Sequence, residues 1–187
     1  TSGNQRHNLN SPGQYVAMWR RVVQIFRQEG ASNAAWVWSP NIHYLNRNNS
    51  VGDQNADLAA LYPGDSFVNW IGLSIYADGS RNNWRSFSSL FDGAYRTVTR
   101  ISSKPLMIAE MGVTEGGAPY GSSKASWISQ TLMNDIPTRY PRVRLVNWFC
   151  RDKTDVGEAN YRFDSSTSSL QAFRVAVNSP LYSGQLR

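Results

Sequence analysis

Four short apolar runs punctuate the chain: Ala34–Trp38, Phe67–Tyr76, Pro105–Glu110 and Val143–Phe149. Each is brief, rich in Val, Ile, Leu and aromatic residues, and bounded by turn formers, which predicts buried β-strands. Between them apolar positions recur every three to four residues, the period of an amphipathic helix. The clearest case is Pro12–Gln28, with Tyr15, Met18, Trp19, Val22, Val23 and Phe26 as its inward stripe. Ser11 is placed to cap it, Pro12 suits its first turn, and Gly30 stops it. A second helix is expected from Trp84 or Ser86 to Ile101, with Phe87, Leu90, Phe91, Tyr95 and Val98 facing inward. A third covers Ser122 to Ile136 with Trp127, Ile128 and Leu132, and a fourth covers Ser168 to Val177 with Leu170, Phe173 and Val177.

The strand starts, at 34, 67, 105 and 143, lie 33, 38 and 38 residues apart. That spacing fits repeated βα units feeding a parallel sheet, so an α/β fold is expected. Four strands are too few to close a parallel barrel. No glycine-rich loop follows any strand, which argues against a nucleotide-binding fold. No linker or repeat interrupts the chain, so 1–187 reads as one domain. The longest irregular stretch, Asn41 to Asp65, is polar and follows a strand. α/β proteins mount binding loops at that end of a parallel sheet.

Composition narrows the classes. Apolar residues are 41% and charged residues 17% of the 187, ordinary for a globular chain. No run reaches the roughly 20 apolar residues of a membrane span. The net charge of +6 comes from 16 Arg and 3 Lys against 13 acidic residues. The cations are scattered, so no nucleic-acid footprint is expected. A single cysteine, Cys150, excludes an intramolecular disulfide and a cysteine zinc site. His7 and His43 have no carboxylate cluster beside them, and neither a metal nor a cofactor is expected. No nucleophile-elbow motif is present. The 12% of aromatic residues suits a core, but flat rings also suit the apolar faces of sugars.

Glu110 is the most informative position. It ends an apolar run, where an unpaired carboxylate is costly, and strand ends are where barrel enzymes mount catalytic groups. A structural salt bridge is the competing explanation. Trp36 and Trp38 share one side of their strand, Trp36 fitting a core and Trp38 with Asn41 lying nearer the functional end. Tyr76 and Trp148 close the next and the last strands. Aromatic platforms converging with a carboxylate suit a carbohydrate. The pairs Asp57/Asp65 and Asp152/Asp155 fall in loops and are expected to be solvated.

Five segments together resemble glycoside hydrolase family 26, best known for β-mannanases: Tyr15–Phe26, Trp36–Asn41, Tyr62–Asp65 with Trp70–Leu73, Lys104–Gly112, and Trp148-Phe149. The resemblance covers nearly the whole chain. It implies a retaining hydrolase on a (β/α)₈ TIM barrel, of which this chain would be the C-terminal half, strands five to eight. Glu110 would be the nucleophile, Tyr76 the tyrosine that hydrogen-bonds it, and Trp148 the floor of the subsite where the sugar is attacked. Trp38 and Asn41 would end the fifth strand as further substrate contacts. The family's acid/base glutamate sits in a His-Glu-Met-Asn-Gly-like motif that these residues lack, so a fragment without turnover of its own is expected. Cys150 stands where a polar residue such as Asn would be expected. The implied partner is a polysaccharide, β-mannan before β-1,3-xylan or mixed-linkage β-glucan, with the complete enzyme monomeric and extracellular. A carbohydrate-binding module without catalysis, and a nucleic-acid binder, are the competing classes.

Overall fold

A computed structural model describes residues 11–40 and 58–182. Helix α1, Pro12–Gln28, starts as the sequence predicts: the Ser11 hydroxyl accepts from the Gln14 N–H, and the Gln14 side chain returns to the Ser11 N–H. Its stripe is only partly covered among the described residues. Val23 is fully buried, whereas Met18, Val22 and Phe26 remain 52%, 37% and 41% exposed.

The strands are β1 (Val37–Trp38), β2 (Trp70–Ala77), β3 (Leu106–Val113) and β4 (Val143–Trp148), hydrogen-bonded in that order. β1 and β2 pair in parallel, Val37 opposite Trp70 and Trp38 opposite Ile71. Helix α2 (Phe87–Ile101) joins β2 to β3. Helices α3 (Lys124–Gln130) and α4 (Ile136–Arg139) join β3 to β4, and α5 (Thr167–Val177) follows β4. The chain therefore has the expected α/β architecture with a parallel sheet.

Four boundaries differ from expectation. β1 is shorter than the apolar run, because Asn69 occupies the backbone next to Trp36: its side chain accepts from the Trp36 N–H, and its own N–H reaches the Trp36 carbonyl. β2 begins late, since Asp65–Phe67 forms a 3₁₀ turn. β3 does not stop at Glu110 but runs on to Val113. The third helix is interrupted by a π turn over Thr131–Asp135. Pro137 explains the last point, because its ring lacks the N–H that a regular helix needs and a widened turn accommodates it.

Contacts divide the chain into two compact units. One comprises the residues up to Ser74 with Gly93–Ala109, the other Ile75–Asp92 with the residues from Glu110 onward. In the first, Trp38 is 1% exposed and meets Tyr62 edge-on at 5.0 Å. Asp65, expected to be solvated, accepts hydroxyl bonds from Tyr62 and Ser102, each 2.6 Å. Trp19 ties α1 to the 3₁₀ turn by donating to the Phe67 carbonyl.

The second unit is centred on an aromatic cluster. Phe87 and Phe91 stack at 4.9 Å, Trp127 meets Phe87 at 5.9 Å, and Tyr140 meets Phe91 at 4.9 Å. The Tyr140 hydroxyl donates to Asp92, which Arg139 also holds at 2.9 Å. Beyond β2, two backbones approach so closely that a Cβ on Gly79 would lie 2.1 Å from the Gly116 carbonyl oxygen. Gly79 also donates to the Thr114 hydroxyl, and the Trp84 indole donates to the Thr114 carbonyl. These contacts fix the chain segments immediately after β2 and β3.

Two substitutions test this packing by thermal denaturation. Phe91→Ala is expected to cost about 3–5 kcal/mol, the range for emptying a buried aromatic site. Gly79→Ala is expected to cost about 1–3 kcal/mol, because backbone rather than a side chain must yield.

Candidate functional site

β2 and β3 differ in how they alternate. In β2 the fully buried side chains are Ile71, Leu73, Ile75 and Ala77, so Tyr76 falls on the opposite face with Trp70, Gly72 and Ser74. In β3 the fully buried side chains are Leu106 and Ile108, then Met111 and Val113. The period of two slips by one residue at Ala109–Glu110, as an extra residue in a β-bulge would cause. The slip keeps both apolar pairs buried and leaves Glu110 exposed, with Gly112 two residues on.

The Tyr76 hydroxyl donates to Glu110 Oε2 at 2.7 Å. Glu110 is thus exposed and, among the described residues, in no salt bridge, which removes the sequence argument that desolvation forces it to pair. Burial, joined by the bond to Glu110, raises the Tyr76 phenol well above its ordinary value, so the hydroxyl remains a donor.

Behind this pair stand residues that the sequence reading passed over. Tyr161 packs against the Tyr76 ring at 4.9 Å, and Phe149 meets Tyr76 at 5.8 Å. Tyr161 donates its hydroxyl to Asp78 Oδ2 at 2.7 Å, and both residues are buried. Asp78 also accepts from the Ser80 N–H at 2.9 Å and the Ser80 hydroxyl at 2.7 Å, and Arg81 Nε lies 3.3 Å away. Burial opposes ionisation of Asp78, but the bonds from Ser80 and Tyr161 and the charge of Arg81 outweigh it and hold its pKa low. Arg81 also faces Glu158 at 3.6 Å, and Lys153 holds Glu158 at 2.6 Å. The hydrogen bond from Lys153 keeps the Glu158 pKa low too.

Of the expected site residues, Glu110 and Tyr76 come together. Trp148 lies on the helix side of β4: its ring meets Trp127 at 6.2 Å and Phe173 at 5.6 Å, and its indole donates to the Tyr161 carbonyl. The neighbouring ring that meets Tyr76 is Phe149, as alternation along a strand requires. Trp38 is a core residue of its own unit, leaving almost no ring surface exposed. Asn41 lies outside the described residues. Tyr161 and Asp78 are 83 positions apart, so no local pattern could pair them. The only sequence cue was the Asp78-Gly79 step directly after β2, a turn signal.

Among the described residues, no cluster of three or more His, Cys, Asp or Glu could hold a metal ion, and no helix is long and apolar enough to cross a membrane. Cys150 is exposed. Elsewhere in this unit, Lys124 is buried and donates to the Arg162 carbonyl at 2.7 Å, and burial lowers its pKa to about 8.

The phenols give a pH test. Tyr76, Tyr140 and Tyr161 all have pKa values raised above 10.0, by burial first and then by bonds to Glu110, Asp92 and Asp78. An unfolded chain gives up these protons near its ordinary value, whereas the folded one retains them. Their contribution to stability is present below that pH and is lost as pH climbs above it. Lys124 acts oppositely, but its effect is complete by its ordinary value of 10.5. Burial raises Tyr15 and Tyr182 as well, so phenolate absorbance is expected to show these tyrosines together with Tyr76, Tyr140 and Tyr161 ionising only as the fold is lost at alkaline pH.

Comparison with known proteins supplies the family. Residues 3–166 match the model of glycosyl hydrolase family 26. The curated relative is endoglucanase H of Acetivibrio thermocellus, 34% identical over 173 residues that cover 90% of this chain and 17% of that protein. Among solved structures, a double mutant of the Cellulomonas fimi endo-β-1,4-mannanase superposes with a TM-score of 0.61 at 25% identity, covering 92% of this chain and 36% of the other. The family 26 β-mannanase of Bacteroides ovatus shares the fold, with a TM-score of 0.59 at 20% identity, 92% of this chain and 45% of the other being covered. The chain thus spans less than half the length of each of these relatives. It belongs to glycosyl hydrolase family 26.

Proposed function

We propose that this member of glycosyl hydrolase family 26 provides the nucleophile of a retaining glycoside hydrolase that cleaves β-linked polysaccharide, β-mannan in the first place. The observation that carries the proposal is the 2.7 Å bond from Tyr76 to Glu110 on adjacent strands of a parallel sheet. A carboxylate that attacks an anomeric carbon must be ionised and aimed. A phenol that donates to one oxygen fixes the direction in which the carboxylate points and leaves the other oxygen available.

A retaining reaction needs two carboxyl groups about 5–5.5 Å apart, one of them protonated at the outset. Asp78 and Glu158, the carboxylates acting on this part of the unit, both have pKa values held low, which unfits them as general acid near neutral pH. The acid/base is therefore assigned outside the described residues. The half-barrel reading accords with the chain spanning 36% of the Cellulomonas mannanase chain. In this scheme Glu110 attacks, the acid protonates the leaving oxygen, and a covalent glycosyl-enzyme forms. Water then attacks it, activated by the same residue acting as base. Phe149 and Tyr76, each only half-buried, are favoured as ring contacts over the buried Trp38, and Asn41 stays a proposed contact. Trp148 would support the floor through its bond to the Tyr161 backbone. A monomeric, extracellular enzyme is part of this proposal.

The substrate is tested by turnover of β-mannan against β-glucan, the latter because the curated relative is named an endoglucanase. In the intact hydrolase, Glu110→Gln is expected to lower kcat by about a thousandfold or more while sugar binding persists. Tyr76→Phe is expected to lower kcat about tenfold to a hundredfold, equivalent to about 1.4–2.8 kcal/mol. Unchanged turnover in Glu110→Gln would remove Glu110 as the nucleophile, whereas sugar binding without any turnover in the unsubstituted protein would describe a carbohydrate-binding module.

A further inference from the structure

Tyr76 has to be aimed as well as kept protonated. The angle at which its hydroxyl meets Glu110 depends on what packs against the ring. Tyr161 provides one wall at 4.9 Å and Phe149 another at 5.8 Å. Tyr161 is in turn fixed from four directions. Its hydroxyl is bonded to Asp78. Its N–H donates to the Arg151 carbonyl at 2.9 Å, and its carbonyl accepts the Trp148 indole at 2.7 Å. Its side chain also lies directly over Gly112, where an added Cβ would sit 3.0 Å from Tyr161 Cδ1 and 3.1 Å from its Cβ. Gly112 is two residues beyond Glu110 on β3, so the absence of a side chain there is what lets Tyr161 reach the ring beside the carboxylate. Asp78 lies two residues beyond Tyr76 at the end of β2. The Asp78–Tyr161 bond thus joins the strand that carries Tyr76 to the ring that braces it.

We propose that Tyr161 and Asp78 are positioning residues that act on Glu110 through Tyr76, by holding the Tyr76 ring at the angle from which its hydroxyl meets the carboxylate. The proposal rests on the hydrolase reading above. Neither residue touches the reacting atoms: Tyr161 gives its proton to Asp78, and Asp78 is occupied by Ser80 and Arg81. The braced ring is valuable because a nucleophile displaced by a fraction of an ångström loses much of its orientation advantage.

The test is a double-mutant cycle in the intact hydrolase, with β-mannan as substrate and melting curves for every variant. Tyr161→Phe and Asp78→Asn are each made alone and together with Tyr76→Phe. Each alone is expected to lower kcat about threefold to thirtyfold with KM within about twofold, because orientation in the transition state is lost and not binding. In the Tyr76→Phe background neither should lower kcat further, since the hydroxyl they aim is already gone. A purely structural role would give the same loss in both backgrounds, and that result overturns the proposal, as does wild-type kcat in both single variants. If Tyr161→Phe fails to fold, Asp78→Asn, which preserves shape, decides the question alone. Glu110→Gln serves as the control: turnover there close to that of the unsubstituted protein removes the hydrolase premise, whereas a loss of about a thousandfold or more there with additive Tyr161 and Asp78 effects rejects only the positioning role.

Discussion

One hydrogen bond organises the candidate site, the donation from Tyr76 to Glu110 across two neighbouring strands. Parallel strands lie about 4.8 Å apart, so side chains on adjacent strands meet only if each faces the same way at the same level. β2 achieves this by strict alternation, and β3 by a one-residue slip. Without the slip, either Glu110 or the buried pair Met111 and Val113 would be on the wrong face. A local departure from strand regularity is therefore the condition for both a sound core and an available carboxylate.

The surroundings convert that bond into a directed one. Four aromatic or acidic side chains from three segments lie around it: Tyr161 and Asp78 as a bonded pair, Phe149 at the end of β4, and Tyr76 itself. The charges nearby are arranged so that the phenols keep their protons and the supporting carboxylates lose theirs. The Glu110 carboxylate thus lies beside a phenol that keeps its proton to donate.

Much of the architecture was legible from period and spacing alone. Helix α1 could be placed from its Ser11 cap and Pro12, and α2 from the spacing of Phe87, Leu90 and Phe91. What could not be read was anything set by a contact distant in the chain. Asn69 shortens β1 from more than thirty residues away. The site divides in the same way. Glu110 and Tyr76 declared themselves as polar ends of apolar runs, whereas Tyr161 sits in a polar stretch with no periodicity. Trp148 and Phe149 are adjacent, and parity along an isolated strand cannot say which of two neighbours faces the carboxylate until the packing of Trp127 and Phe173 decides it.

The account stands on Glu110 bonding to an anomeric carbon, and that bond can be trapped. An activated 2-deoxy-2-fluoro mannoside slows breakdown of a glycosyl-enzyme more than its formation, so the intact hydrolase should accumulate the adduct. Proteolysis and mass spectrometry are predicted to find the added sugar on the peptide that spans Leu106–Val113, at Glu110. A label on any other residue, or a hydrolase that turns the reagent over with inversion and acquires none, would contradict the assignment.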